Sequence, residues 1–218
     1  RAESGTVPFT RYFFNSVIVA AATILAVVVV STMAGYVLSK HRFHFKALIM
    51  GTIMISLMFV PEMVLIPRYL VVHGLGLADT YFAHILPFVA SPVAVFLMKQ
   101  FIDQIPDALL EAAKLDGATD MHIFLRVVIP LTAPAVATVC IVTFQAVFTD
   151  ITTSTYYVMD ETMRTMAYFL TSVTVNIPGV AAASLGAAIS LLMFLPNLLL
   201  FVFFQRKMIQ TMLHSGVK

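Results

Sequence analysis

Long apolar runs separated by short polar stretches dominate this chain. A helix needs about 20 mostly apolar residues, at about 1.5 Å rise each, to cross a bilayer, and five segments reach that length. The first runs from Phe14 to Leu38 and contains the unbroken run Leu25 to Val30. The second runs from Ala47 to Val72, interrupted by Pro61, Glu62, Pro67 and Arg68. The others span Tyr81 to Phe101, Val127 to Phe148 and Val180 to Phe204. Barrel strands would alternate over about 10 residues, and these runs are longer and continuous. The pattern predicts an all-α fold: a polytopic transmembrane bundle with five spanning helices.

Composition agrees. Hydrophobic residues make up 60% and charged residues 11%, against about 45–50% and about 25% in soluble domains. So little charge cannot cover a water-facing surface, which excludes a soluble enzyme, a disordered chain, a coiled coil and a secreted disulfide scaffold. The one cysteine, Cys140, excludes an internal disulfide and a cysteine-cluster metal site. A net charge of +2 is too small for a nucleic-acid footprint.

Positive charge sets the orientation. Lys40, Arg42 and Lys46 follow the first segment, Lys99, Lys114 and Arg126 flank the third-to-fourth connection, and Arg206, Lys207 and Lys218 fall in the tail. These nine of thirteen basic residues share one side, which makes it cytoplasmic. Arg1, Arg11, Arg68 and Arg164 fall on the other. The expectation is an outward N-terminus and a cytoplasmic C-terminus. An outward start without a signal peptide predicts a preceding helix, six in the full-length protein.

The third-to-fourth connection is patterned too strongly for a solvated linker. Pro106 suits a first helical turn, and Asp107 faces the positive end of the helix dipole. Residues up to Leu115 are strong helix formers, Gly117 stops them in a left-handed cap, and Thr119 caps a second short helix bearing Ile123 and Phe124. Leu109, Ala112 and Asp116 share one face, while Leu110, Ala113 and Ile123 add apolar surface. This suits either an interfacial amphipathic helix or a docking knob for a cytoplasmic subunit.

Glu111-Ala112-Ala113, Asp116-Gly117-Ala118, Phe124 and Ile129-Pro130-Leu131 resemble the EAA loop of ABC importer permeases. The chain as a whole resembles the maltose-type (carbohydrate uptake) permease family. That likeness runs through Asn15-Ser16, Tyr36, Arg42-Phe43, Pro61, Ile66-Pro67, Leu75-Gly76-Leu77, Thr80-Tyr81, Phe204-Gln205-Arg206 and Ser215-Gly216-Val217-Lys218. There are two departures. Phe148-Thr149-Asp150 stands where the family has Trp-Asn-Glu or Trp-Asn-Asp, and the small-residue run near the C-terminus is shortened to Met212-Leu213-His214-Ser215-Gly216.

The resemblance implies a multi-pass inner-membrane permease subunit for carbohydrate import, with residues 1–218 as one permease domain and 103–125 as its coupling loop. The implied partners are a second permease subunit, two ATP-binding cassette subunits, an extracytoplasmic solute-binding protein and membrane lipid, with no nucleic acid. This chain would bind no cofactor and catalyse nothing; ATP and Mg belong to the partner subunits. It carries no G-x-x-x-x-G-K-[ST] phosphate loop of its own. By resemblance the helix from Pro106 to Leu115 sits in an ATPase cleft with Glu111 on an arginine there. Leu109, Ala112, Ala113, Asp116, Gly117 and Ala118 complete the contact. The implied cargo is a sugar, oligosaccharide, polyol or glycerol phosphate.

Polar groups at bilayer depth are the remaining candidates. An acid at a helix centre costs about 2.5–3.5 kcal/mol, so Glu62 either faces the solute path, or pairs with Arg68, or is solvated at a break made by Pro61 near the outer surface. Gln145, Asp150 and Asn197 are further pathway candidates, with Thr143 and Gln100 behind them. Ala182, Gly186 and Ser190, four residues apart, support close helix packing, and Pro196 would kink the same helix. His41 and His44 lie in a basic loop and the other four histidines are scattered, so no metal site is expected. The outer connection from Thr149 to Gly179 holds eight threonines and a short helix over residues 163–172. Its Asp150, Asp160, Glu161 and Arg164 suit either a binding-protein dock or an ordinary polar loop. The rival function, a stand-alone secondary transporter or channel, calls for a charge relay or repeated halves. Only Glu62 and Arg68 are available for such a relay, and no internal repeat is visible. A membrane scaffold without a solute path is the third option.

Overall fold

The computed structural model describes residues 7–175 and 180–215. Arg1 and Gly216 to Lys218 lie outside the described residues, as do the side chains of Pro61, Ala182, Phe204 and positions 206–215, among them Arg206 and Lys207. Among the described residues every regular element is helical.

The first apolar run forms α1 (Phe9–Lys40), closed by a cation at its negative end. The second is not one helix. α2 (Lys46–Ser56) stops, a 3-10 turn covers Pro61–Val64, and α3 (Leu65–Gly74) follows. Pro61 lacks the N–H that would continue α2, and it disfavours helical geometry at Val60. The interrupted second segment expected over Ala47 to Val72 is thus built of two short helices around a break.

The third run is a pair, α4 (Tyr81–Val89) and α5 (Pro92–Asp103), bent by 45°. Ser91 makes the break: its side chain accepts from Ala94 N at 3.3 Å, and Pro92 occupies the first helical position. α6 (Asp107–Leu115) and α7 (Asp120–Ile123) come next. A π-helical stretch over Phe124–Val128 leads into α8 (Ile129–Leu131). There the Ile129 N–H reaches back five residues to the Phe124 carbonyl, beside Pro130, which offers no donor. α9 (Ala133–Phe148) and α10 (Thr152–Tyr156) precede a 3-10 turn at Glu161–Met163. α11 (Met166–Val175) starts three residues later than the expected short helix because Arg164 is extended, with φ −67° and ψ 153°. α12 (Val180–Ser215) carries Pro196 inside it.

Among the described residues three stretches are long and apolar enough to cross a bilayer, Phe9–Lys40, Ala133–Tyr156 and Gly186–Phe203, and the bent α4–α5 pair, taken as one span, makes a fourth. The chain divides into two compact units.

One unit comprises Arg1–Ile24, Pro61–Phe88 and Thr143–Phe201. Its apolar clusters gather Tyr12 with Phe148, Met166 and Leu170, then Val72 with Ala83, Tyr157 and Val158, then Val19 and Ala20 with Val147. Buried among them are Asn15, Ser16, His84, Thr153, Ser154 and Thr165.

The other unit comprises Leu25–Val60, Val89–Val142 and Val202–Lys218. Its core joins Val27 and Tyr36 to Met98, Ile102, Ile105, Leu110, Ile123, Phe124 and Val128. α1 and α5 meet closely here. A Cβ on Gly35 would stand 3.0 Å from the Lys99 backbone nitrogen and 3.1 Å from Met98 Cβ.

Candidate coupling site

The helix α6 is built to be rigid from both ends. Pro106 sets the entry with φ −60° and ψ 134°. Lys40, the last residue of α1, donates from Nζ to the Ile105 carbonyl at 2.6 Å and to Asp107 Oδ1 at 2.7 Å. One ammonium thus serves the negative end of α1 and the acid in the first turn of α6. It holds the Asp107 carboxyl below the usual carboxylate range. A step earlier, Asp103 accepts from Ser39 Oγ and from Lys99 Nζ, both at 2.6 Å. The root of the hairpin is therefore pinned to α1 twice.

The far end is a glycine cap. Gly117 has φ +83°, its N–H bonds the Lys114 carbonyl at 3.0 Å, and the Ala118 N–H bonds the Ala113 carbonyl at 3.0 Å. Thr119 then accepts from His122 N at 3.3 Å. Lys114 meets Asp120 across the turn at 3.0 Å, and that carboxylate raises the lysine's pKa.

Two faces result. Leu110, Ala113 and Ala118 pack on the core with Ile123 and Phe124. Leu109, Glu111, Ala112, Asp116 and Gly117 are left exposed. Leu109 keeps 46% of its surface and Leu115 keeps 89%. Glu111 takes part in no ion pair among the described residues. It lines a recess of about 330 Å³ with Tyr36, Lys40, His41, Arg42 and Lys114. Lys40, Asp103 and Ser39 are the anchoring residues that sequence reading missed; a cation ending one helix and an acid starting another were the available signal.

Of the pathway candidates, Gln100 falls in this unit and Glu62, Thr143, Gln145, Asp150 and Asn197 in the other, and no hydrogen bond or ion pair joins any two of them among the described residues. Glu62 is exposed on its 3-10 turn, with no Arg68 ion pair. Gln145 is exposed, and its carbonyl accepts from Thr149 Oγ1 at 2.7 Å. Asn197 donates to the Met193 carbonyl of its own helix at 3.0 Å. Asp150 is committed to structure. It accepts from the N–H of Thr153 at 2.9 Å and from its hydroxyl, which lies 2.7 Å from His84 Nδ1.

A buried polar lattice orders the long connection in that unit. Asn15 Nδ2 donates to the carbonyls of Thr162 at 2.8 Å and Arg164 at 3.0 Å, and the Tyr81 hydroxyl donates to Asn15 Oδ1 at 2.8 Å. Ser16 Oγ accepts from Met166 N at 2.8 Å. Asp79, at φ +55°, accepts from Asp160 N at 3.0 Å, and Arg164 donates to Tyr168 Oη at 2.8 Å. The Thr162 N–H depresses the Asp160 pKa.

Among the described residues the chain is all-helical and strongly apolar, and its α6–α7 hairpin leaves one face exposed; its relatives place it among membrane permease subunits. The family of binding-protein-dependent transport system inner membrane components matches residues 28–210, and the chain belongs to that family. Among its relatives, the arabinooligosaccharides transport system permease protein AraQ of Bacillus subtilis is 30% identical over 99% of this chain and 76% of its own length. The sn-glycerol-3-phosphate transport system permease protein UgpE of Pectobacterium atrosepticum is 30% identical over 98% of this chain and 76% of its own. Against some other curated relatives the matched stretch spans about half of their length. The fold is that of a chain in the crystal structure of a bacterial ABC transporter involved in the import of the acidic polysaccharide alginate. That match has a TM-score of 0.80 at 22% identity, over 93% of this chain and 76% of the other.

Proposed function

We propose that residues 1–218 act as one permease domain, forming half of the translocation pathway of an importer for a sugar or related solute. A second permease subunit supplies the other half, two ATP-binding cassette subunits carry the ATP and Mg, and an extracytoplasmic binding protein delivers the solute. The chain crosses the membrane five times, with α2 and α3 together making the second crossing around the break at residues 57–64. Its N-terminal end lies outside and its C-terminus in the cytoplasm.

Residues 103–125 are the coupling loop. α6 seats in an ATPase cleft through Leu109, Glu111, Ala112, Ala113, Asp116, Gly117 and Ala118. The observation that carries this is an exposed acid without an ion pair, Glu111, on a helix pinned at both ends. A pinned helix transmits displacement, whereas a floppy one absorbs it. Closure of the ATPase pair would then rock α1 and α5 as rigid bodies between two packed states. AraQ and UgpE, by their names, serve arabinooligosaccharides and glycerol 3-phosphate, which supports a carbohydrate-related cargo here. Glu62, Gln145, Asp150 and Asn197 are proposed to border the path. Glu111→Lys is expected to abolish ATP-dependent solute uptake and weaken retention of the ATPase subunits; unchanged uptake with full retention would refute the assignment.

A further inference from the structure

Beyond α1 the chain reads His41-Arg42-Phe43-His44-Phe45-Lys46, with basic and aromatic side chains interleaved. The two lysines that bracket this run are committed to protein. Lys40 holds Ile105 and Asp107, and Lys46 Nζ donates to the carbonyls of Ser39 at 3.2 Å and His41 at 3.3 Å. Arg42 and His44 make no hydrogen bond or ion pair among the described residues. Phe43, Phe45 and Leu48 beside them are exposed, the last two by about two thirds.

Two cavities meet at this point. One is an apolar slot of about 220 Å³ between the end of α1 and the α7 region, walled by Met33, Val37, Met121 and Phe124 with Tyr36, His41 and Asp120. Met33 and Val37 lie one turn apart and are exposed by 47% and 44%, so the slot continues up an open apolar face of α1. The other is the polar recess containing Arg42. Tyr36 and His41 border both, their rings edge-on at 5.4 Å. The carboxylates nearby are largely accounted for: Asp107 is held by Lys40 and Asp120 by Lys114. The remaining acid, Glu111, faces the ATPase in the proposed function.

An apolar track leading to an exposed guanidinium, which neighbours Asp107 but makes no ion pair with it, fits an amphiphilic anion. We propose that the end of α1 and the 41–46 loop form a binding site for an anionic phospholipid. One acyl chain lies along Met33 and Val37 into the slot, and the headgroup phosphate meets Arg42 and His44. Phe43 and Phe45 would enter the interfacial layer as aromatic anchors. The placement of this loop at the inner leaflet rests on the proposed orientation, but the test reads lipid binding and leaves transport aside.

The intact importer, purified in detergent, is incubated with equimolar phosphatidylglycerol and phosphatidylcholine of identical acyl chains, and retained lipid is measured by native mass spectrometry. Phosphatidylglycerol should be retained in preference. Arg42→Gln should reduce that preference about fivefold, the amount one basic side chain contributes at an anionic lipid surface. Val37→Trp, which fills the slot without changing charge, should lower phosphatidylglycerol retention as well. Retained ATPase subunits in both variants report an intact assembly, and Met33→Trp replaces Val37→Trp should that variant not assemble. Equal retention of the two lipids by the unmodified importer, or a preference unaffected by Arg42→Gln, overturns the site. Unchanged retention in the slot-filling variant also overturns it, leaving only diffuse attraction to a basic loop.

Discussion

Gly117 ends α6 at φ +83° with nothing within 4 Å of where a Cβ would stand. A side chain there meets backbone strain rather than a clash, so Gly117→Ala should cost about 1–2 kcal/mol locally. The expected readout is faster amide exchange over residues 113–118 with little change elsewhere. Lys40 and Asp107 give a second prediction. Because Lys40 depresses the Asp107 pKa, their contact is fully present above the ordinary carboxylate range and is lost as pH falls through the depressed value. Amide exchange in α6, expressed relative to the intrinsic rate at each pH, should accelerate on acidification in the unmodified chain. In Asp107→Asn it should be faster before that step and respond less to it; a pH response unchanged by the substitution would show that the Lys40–Asp107 contact does not anchor the helix. The caps at Gly117 and Thr119 were legible in sequence because they are local. The Lys40–Asp107 bridge joins residues 67 apart, and no local pattern encodes that.

Among the helices, apolar runs located the spanning material well and its interruptions poorly. Segment two was read as one span interrupted at Pro61 and Pro67, without the stop that ends α2 at Ser56. A proline is tolerated in many spans, so its presence alone does not say whether a helix kinks or stops. The bend at Ser91-Pro92 was missed for the same reason, and so was the π turn before Pro130. The close crossing of α1 and α5 at Gly35 was also hidden, since it depends on a partner more than 60 residues away. It predicts that Gly35→Ala destabilises by about 1–3 kcal/mol through overpacking against the backbone of α5. Gly51→Ala, in α2 with open space around it, should instead be neutral or gain up to about 1 kcal/mol from helix propensity. Thermal unfolding of the two variants should separate them; equal midpoints would mean that α1 and α5 do not touch there.

For the whole molecule, the class of protein was legible because hydropathy and the Glu-Ala-Ala to Pro130 spacing are carried by the chain itself. The solute path was not. Asp150 accepts from Thr153 and Asn197 donates to its own helix, and neither contact marks a solute path. The polar residues a sequence offers at bilayer depth are claimed first by backbone and neighbours. The α6–α7 hairpin leaves an open face, and the proposed function turns on whether an ATP-driven partner sits there. The most direct measurement places a photoactivatable phenylalanine analogue at position 115, where the native leucine keeps 89% of its surface exposed, in the assembled importer. The account predicts a crosslink to an ATP-binding cassette subunit whose yield changes between the ATP-bound and nucleotide-free states. A position 115 that crosslinks only to lipid or to nothing, in every nucleotide state of an intact complex, would contradict it.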